Sequence, residues 1–389
     1  MFMFERFFHG WEHRLASATT DRVVRPFDWG LDWLPSNGNG HDPASVAIPL
    51  TPDDKVAVPL QPDDEGRIRL QPDPDADERI ERWVEDALAD SDAFFTPAPT
   101  DDFRFEPAPE TVQRTGESGT LIFPSALPTP HPENNVVRAR WFPARGVGVT
   151  SAARGRGRAV VVLPQWNSDA NGHVGLSRLL ARCGVSALRL SLPYHDARMP
   201  PELSRADYIV SANVVRTVQV CRQAVLDARR AVSWLSSQGF DRIGILGTSL
   251  GSCLSMLTAA HEPRIRAAAL NHVSPWFADV VWHGLSTKHV RQGLDGHIDL
   301  DRLRRLWRPI SPWSHMDRAA KQTTRTLLVY AKYDLTFPVD LSETLVAEYR
   351  RRGIAHEVAR LPCGHYSTGL APFKYLDAYV LIRFLRGNL

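Results

Sequence analysis

The strongest chemical signal in this 389-residue chain is Gly247-Thr248-Ser249-Leu250-Gly251, set between a strand-like run, DRIGILG, and a helix-like run, SLGSCLSMLTAAH. In a strand–turn–helix setting, G-x-S-x-G puts a serine hydroxyl on a tight turn, because its glycines let backbones pass close together. The N-terminus of the following helix favours negative charge beside that serine. A hydroxyl is a weak nucleophile until a base takes its proton, and the base needs an oriented partner. Asp334 follows the strand-like TLLVYAKY, and His365 lies in LPCGHYSTG after the strand-like AHEVARL. Alone, Ser249 could simply start a helix, and Asp334 or His365 could cap or bond at the surface. Their order, Ser249, Asp334, His365, with both partners at strand ends, points instead to serine-centred attack on an acyl carbon.

These residues need a frame to bring them together, and the pattern after about residue 120 supplies one. NVVRARWFP reads as a strand, and RAVVVLP as a buried one, since a continuous branched apolar run fits a sheet covered on both faces. Residues 172–182 read as a helix, VSALRLSLP as a strand and 207–237 as a long helix; IRAAALNHV and TLLVYAKYD add strands. Strands alternating with helices predict an α/β fold, with a largely parallel central sheet and helices on both faces. Residues 120–389 are expected to form this domain, with a small helical cap or pocket insertion at 275–320. Residues 1–119 read as an accessory or wrapping region. Within it, VAIPLTPDD, VAVPLQPDD and RIRLQPDPD repeat at a spacing near ten, as edge strands or an irregular arm. DERIERWVEDALADSDAFF follows with Ile80, Trp83, Val84, Ala87 and Leu88 on one helical face.

With Ser249, Asp334 and His365 in this order, residues 120–389 resemble the α/β-hydrolase superfamily. The long N-terminal region and SLPYHDARMP look more like its dienelactone-hydrolase and abhydrolase-domain esterase branches than a minimal lipase. The resemblance implies acyl transfer to Ser249 followed by hydrolysis, with a carboxylic-ester hydrolase of small or medium acyl substrates as the first expectation. Thioesterase, lactonase and acyltransferase activity stay open, as does a catalytically inactive ligand-binding or scaffold protein. The oxyanion hole is expected to pair the backbone N–H of Leu250 with one from Pro164-Gln165-Trp166-Asn167. Trp166 is the first candidate and Gln165 the alternative, since Pro164 has no N–H; relatives often carry His-Gly here.

Further substrate contacts are expected from SLPYHDARMP, where Tyr194 and His195 could enter the crevice and Arg198 could recognise a carboxylate. A structural loop is the competing reading. Trp276, Phe277 and Trp282 in SPWFADVVWHG could line an aromatic pocket or pack a cap. The fourteen histidines show no HExxH and no compact His/Cys cluster, so no metal is expected, and no organic cofactor is implied. His272, His283, His289, His297 and His315 read as surface or packing groups.

Composition narrows the partners. Lys and Arg total 46 against 44 Asp and Glu, so a net charge of +2 gives no broad attraction to nucleic acid. Arg154, Arg156 and Arg158 of RGRGR read as a solvated loop, and the aromatic start with Phe2, Phe4, Phe7, Phe8 and Trp11 as a packing face rather than a membrane patch. Cys183, Cys221, Cys253 and Cys363 are widely spaced and form no extracellular-type framework, which fits a reducing compartment. The expected setting is therefore cytoplasmic, the expected partner a small-molecule acyl substrate, and a homo-oligomer stays open.

Overall fold

Ala159 to Leu163 are fully buried because two cores share them: Val160 and Val162 face one, while Ala159, Val161 and Leu163 face the other. A strand turns successive side chains to opposite sides, so an unbroken apolar run belongs to a strand covered on both faces. In the computed structural model, which describes residues 2–35, 74–144 and 157–389, this run is the fourth of nine strands. The strands are β1 (Arg104–Pro107), β2 (Gly119–Pro124), β3 (Val136–Phe142), β4 (Gly157–Leu163), β5 (Ser186–Leu190), β6 (Phe240–Thr248), β7 (Ile265–Asn271), β8 (Arg325–Ala331) and β9 (His356–Leu361). They form one sheet in the order β1-β2-β3-β5-β4-β6-β7-β8-β9. β4 to β9 run parallel to one another, and β1 to β3 extend the sheet antiparallel from β5.

Helices Val174–Arg182 and Phe373–Asn388 cover one face of the sheet, and Val214–Ser237, Leu250–His261 and Val339–Arg351 cover the other. The chain passes from β4 outward to β5 and then returns to β6 on the other side of β4. The carboxyl ends of β4 and β6 therefore border the crevice where connections diverge, the place where open α/β sheets bind ligands. Ser249 follows β6, and Pro164-Gln165-Trp166 follows β4.

Some elements differ from the sequence expectation for clear reasons. The long helix begins at Val214 rather than near 207, because the Asn213 side chain accepts the Arg216 N–H (2.9 Å) and caps it. Asp28 then bonds the main chain on both sides of Asn213, donating to Ala212 and accepting from Val214. The stretch between β7 and β8 is a run of short helices, among them Phe277–His283, Lys288–Leu294 and Leu300–Leu306. Phe277, Leu303, Leu306, Trp307 and Ile310 from this stretch join the main core, and its helix Leu300–Leu306 also meets helix Pro74–Ala89. In that N-terminal helix Ile80, Trp83, Val84 and Ala87 are buried, as the helical spacing predicts, and Leu88 packs partly buried beside them. The repeats of residues 46–73 and Arg154 and Arg156 of RGRGR lie outside the described residues. At the start, Phe8 stacks on Tyr333 (4.5 Å between centroids), while Phe4 and Phe7 are exposed. Among the described residues, no helix is long and apolar enough to cross a membrane.

Candidate active site

Ser249 sits on the turn between β6 and helix Leu250–His261 with φ 56° and ψ −119°, a left-handed backbone that ordinary residues avoid. Its glycines are needed for space rather than flexibility. A Cβ on Gly247 would lie 1.9 Å from the Gly251 carbonyl oxygen, and one on Gly251 would lie 2.2 Å from that of Leu163. The second approach packs the start of the helix against the end of β4, which carries the loop expected to supply an oxyanion donor. Strain collects around this point: of six described non-glycine residues with clearly positive φ, Asn167, His173, Asp196, Ser249 and His272 line one cleft. Such clustering marks sites whose surroundings hold an unfavourable backbone in place.

The cleft has a volume of about 1180 Å³ and contains Ser249 and His365. Ser249 Oγ lies 3.1 Å from His365 Nε2, and His365 Nδ1 lies 2.9 Å from Asp334 Oδ2. Phe337 stacks on the His365 ring (5.3 Å), which restricts its rotation. The other Asp334 oxygen accepts the backbone N–H groups of Thr336 (2.8 Å) and Phe337 (2.7 Å). Burial pushes the Asp334 carboxyl upward, but the charge of His365 and hydrogen bonds from His272 and His365 outweigh it and hold it well below the carboxylate range. The arrangement can pass a proton from a serine hydroxyl to an imidazole whose tautomer is set by an ionised acid.

Sequence reasoning missed His272. Its Nδ1 also lies 2.9 Å from Asp334 Oδ2, so two imidazoles share one carboxylate oxygen. His272, Asp334 and His365 bring their potential ligand atoms within 4.8 Å of one another, the described group best placed to share a cation. Their 2.9 Å contacts have ordinary N–H···O lengths, and a cation on these atoms would take the place of the Nδ1 hydrogens.

The loop after β4 is held from several sides. The Trp166 indole N–H donates to the Ala206 carbonyl (2.8 Å), and the ring stacks on His289 (5.6 Å). Asn167 Oδ1 accepts the Ala206 N–H (2.8 Å), and the Asn167 N–H donates to His195 Nε2 (3.0 Å). The Pro193 carbonyl accepts from His195 Nδ1 (2.8 Å), so His195 is neutral with its hydrogen on Nδ1. Among the described residues, the N–H groups of Gln165, Trp166 and Leu250 meet no acceptor; Gln165 and Trp166 line the cleft, and Leu250 directly follows Ser249 without lining it.

Burial lowers His195 to about 4, against the opposing pull of the Pro193 carbonyl, and lowers buried His173 likewise to about 4. In the unfolded chain both would titrate near the ordinary value of 6.5. The unfolded state therefore binds more protons between those values, and stability should decline as pH falls from about 6.5 towards 4. Urea midpoints measured across that range test this; a flat profile would contradict it.

Gln165, Trp166, His195, Ser249 and His365 line the cleft, whereas the other expected substrate contacts do not. Arg198 is wholly buried and bonds Asp227, Asn134 and Ser191, so it cannot meet a substrate carboxylate. The buried Tyr194 hydroxyl meets His131 Nδ1 (3.0 Å). Trp276 stacks on Trp313, Phe277 packs edge-on to Trp307, and Trp282 lies beneath Arg291. These aromatic residues pack the insertion between β7 and β8 instead of forming the expected wall. His315 and His289 are buried packing groups, but His272 is part of the site.

Residues 220–368 match the family model described as the prolyl oligopeptidase family, Peptidase_S9. The matched segment carries Ser249, Asp334 and His365. The match gives no support to the narrower dienelactone-hydrolase or abhydrolase-domain comparison. No curated protein sequence matches this chain at a significant level. Among solved structures, the acetyl xylan esterase from Paenibacillus sp. R4 aligns with a TM-score of 0.57 at 17% identity, covering 82% of this chain and 96% of that one. Acetyl Xylan Esterase 1 from Thermoanaerobacterium sp. JW/SL YS485 aligns at 0.55 and 14% identity, covering 82% and 95%. The acylaminoacyl peptidase of Pyrococcus horikoshii aligns at 0.53 and 13% identity over 73% of this chain, which spans only 42% of that longer one. At these identities the structural likeness concerns the fold.

Proposed function

We propose that this chain cleaves carboxylic esters of small or medium acyl groups through Ser249, with His365 as general base and Asp334 orienting it. The observation that carries this reading is the continuous contact from Ser249 Oγ through His365 to the ionised Asp334 at the wall of an open cleft. His365 Nε2 takes the Ser249 proton as Oγ attacks the ester carbonyl. Charge on the carbonyl oxygen is met by the Leu250 N–H and that of Trp166, with Gln165 as the alternative donor; removing one such donor costs about 10²–10³ in rate. Protonated His365 then hands its proton to the departing alkoxide. Water, deprotonated by His365, attacks the acyl-enzyme, and the acid leaves with Ser249 restored.

The test is a panel of short- and medium-chain p-nitrophenyl esters, run beside a serine-directed fluorophosphonate label. Turnover with labelling at Ser249 supports the reading. A folded protein showing neither would overturn it. The prolyl oligopeptidase match favours one second reading, amide cleavage by the same residues. Peptide p-nitroanilides cleaved faster than any ester of the panel would select it.

His195 separates two roles for the segment after β5. As anchor of the Asn167 N–H, it holds the loop bearing the Trp166 donor; as a substrate wall, it would act through binding. His195→Phe should lower kcat by roughly 10- to 100-fold with little change in KM, since small misplacements of transition-state groups are costly. A raised KM at unchanged kcat would assign His195 to substrate binding.

A further inference from the structure

His272 forms part of the wall around Ser249. It is 2% exposed and lines the cleft, and its backbone lies in the left-handed region at φ 55°. Two bonds from neighbouring elements hold it there: its N–H donates to the Val329 carbonyl on β8 (2.9 Å), and its carbonyl accepts the Ser252 hydroxyl (2.8 Å). The strained turn brings the ring from the end of β7 to Asp334 Oδ2, with its centroid 4.5 Å from that of His365. Because an ionised carboxylate only accepts, both imidazoles present an Nδ1 hydrogen to the same oxygen.

Building on the serine-hydrolase reading, we propose that His272 is a positioning residue: a second donor that fixes the Asp334 carboxylate and weakens its pull on His365. A carboxylate that shares its charge with two donors stabilises the protonated form of either one less. A weaker pull from Asp334 leaves the His365 imidazole free to accept the Ser249 proton.

The titratable and charged groups facing His272 come from four elements. They are Asp334 after β8, His365 in the loop after β9, Asp377 on helix Phe373–Asn388 and Glu12 on helix Phe2–Ser17. Helix Leu250–His261 presents the Ser252 hydroxyl. The three carboxylates favour a proton on His272. Should it carry one, its charge beside His365 acts in the same direction as its hydrogen bond, so the sign of the effect does not depend on its protonation state.

The experiment is an NMR pH titration of the full-length protein's imidazole resonances, with His365 assigned by its loss in His365→Gln. In His272→Ala, His365 should titrate about one pH unit higher than in wild type, and the acidic limb of kcat/KM should move up with it. His272→Asn, which restores a donor, should recover part of the shift. A residue that only packs would lower the rate and leave both midpoints in place, so an unshifted or lowered His365 midpoint overturns the proposal. Wild type provides a readout that needs no variant to fold: two low-field Nδ1 hydrogens are expected on Asp334, and a single one would also overturn it. These titrations read His365 directly. The esterase reading fails separately, through absence of turnover and of Ser249 labelling in wild type.

Discussion

Replacing Ser249 with alanine is expected to lower kcat for p-nitrophenyl esters by roughly 10⁴- to 10⁶-fold, the range seen when a triad nucleophile is removed. The fold should survive the change. The Ser249 side chain makes no cap bond to helix Leu250–His261, although it occupies the cap position, so no helix-capping energy is lost. Alanine and serine are similarly disfavoured at φ 56°, and the Ser249 backbone keeps its N–H bond to Asn271 (2.8 Å) and its carbonyl bond from the Ser252 hydroxyl (2.7 Å). Circular dichroism and urea midpoints should therefore match wild type while turnover disappears. Any remaining rate would come from the Leu250 and Trp166 N–H groups acting on bound ester. His365→Ala should cost about as much, and the double variant little more, because residues acting as one unit are not additive. Near-wild-type turnover in a folded Ser249→Ala would exclude Ser249 as the nucleophile.

The placement of side chains at the strand ends was legible where it followed local rules. The glycines around Ser249, the runs that became β4 and β6 to β9, and the order of Asp334 and His365 all lie in short segments with a strong pattern. What escaped depended on contacts between distant residues. His272 meets Asp334 across 62 positions, and its left-handed backbone leaves no periodic trace in the sequence. One signal was available: His272 directly follows Asn271 at the end of β7, the position on the neighbouring strand that corresponds to Ser249 after β6. The antiparallel strands β1 and β2 lie in a Pro-rich stretch, where composition argues for linker and pairing with β3 decides otherwise. Aromatic residues at 276–282 and the polar run at 194–198 were ambiguous because the same side chains suit a pocket wall and a packed core.

Arg198 shows how strongly burial resolves that ambiguity, and its removal should destabilise the protein by about 3–5 kcal/mol, as expected when one partner of a buried ion pair is lost. Its guanidinium is inaccessible, and so is the Asp227 carboxylate it meets at 2.9 Å. It also donates to the Asn134 carbonyl through Nε (3.0 Å) and Nη2 (2.7 Å), and to the Ser191 carbonyl through Nη1 (3.0 Å). Asp227 keeps the Ser125 hydroxyl (2.8 Å) and the Ala126 N–H (3.1 Å), but neither offsets its charge. Arg198→Ala therefore leaves a carboxylate and two carbonyls short of donors in a dry interior. A substrate-binding arginine would behave otherwise, raising KM for acidic esters with an unchanged urea midpoint. The double variant Arg198→Met with Asp227→Leu removes both charges and should recover part of the loss, which distinguishes an uncompensated carboxylate from a simple cavity. Activity should fall with Arg198→Ala even below its unfolding midpoint, since Arg198 and Ser191 anchor the segment that carries His195, and His195 in turn holds Asn167 beside the Trp166 N–H.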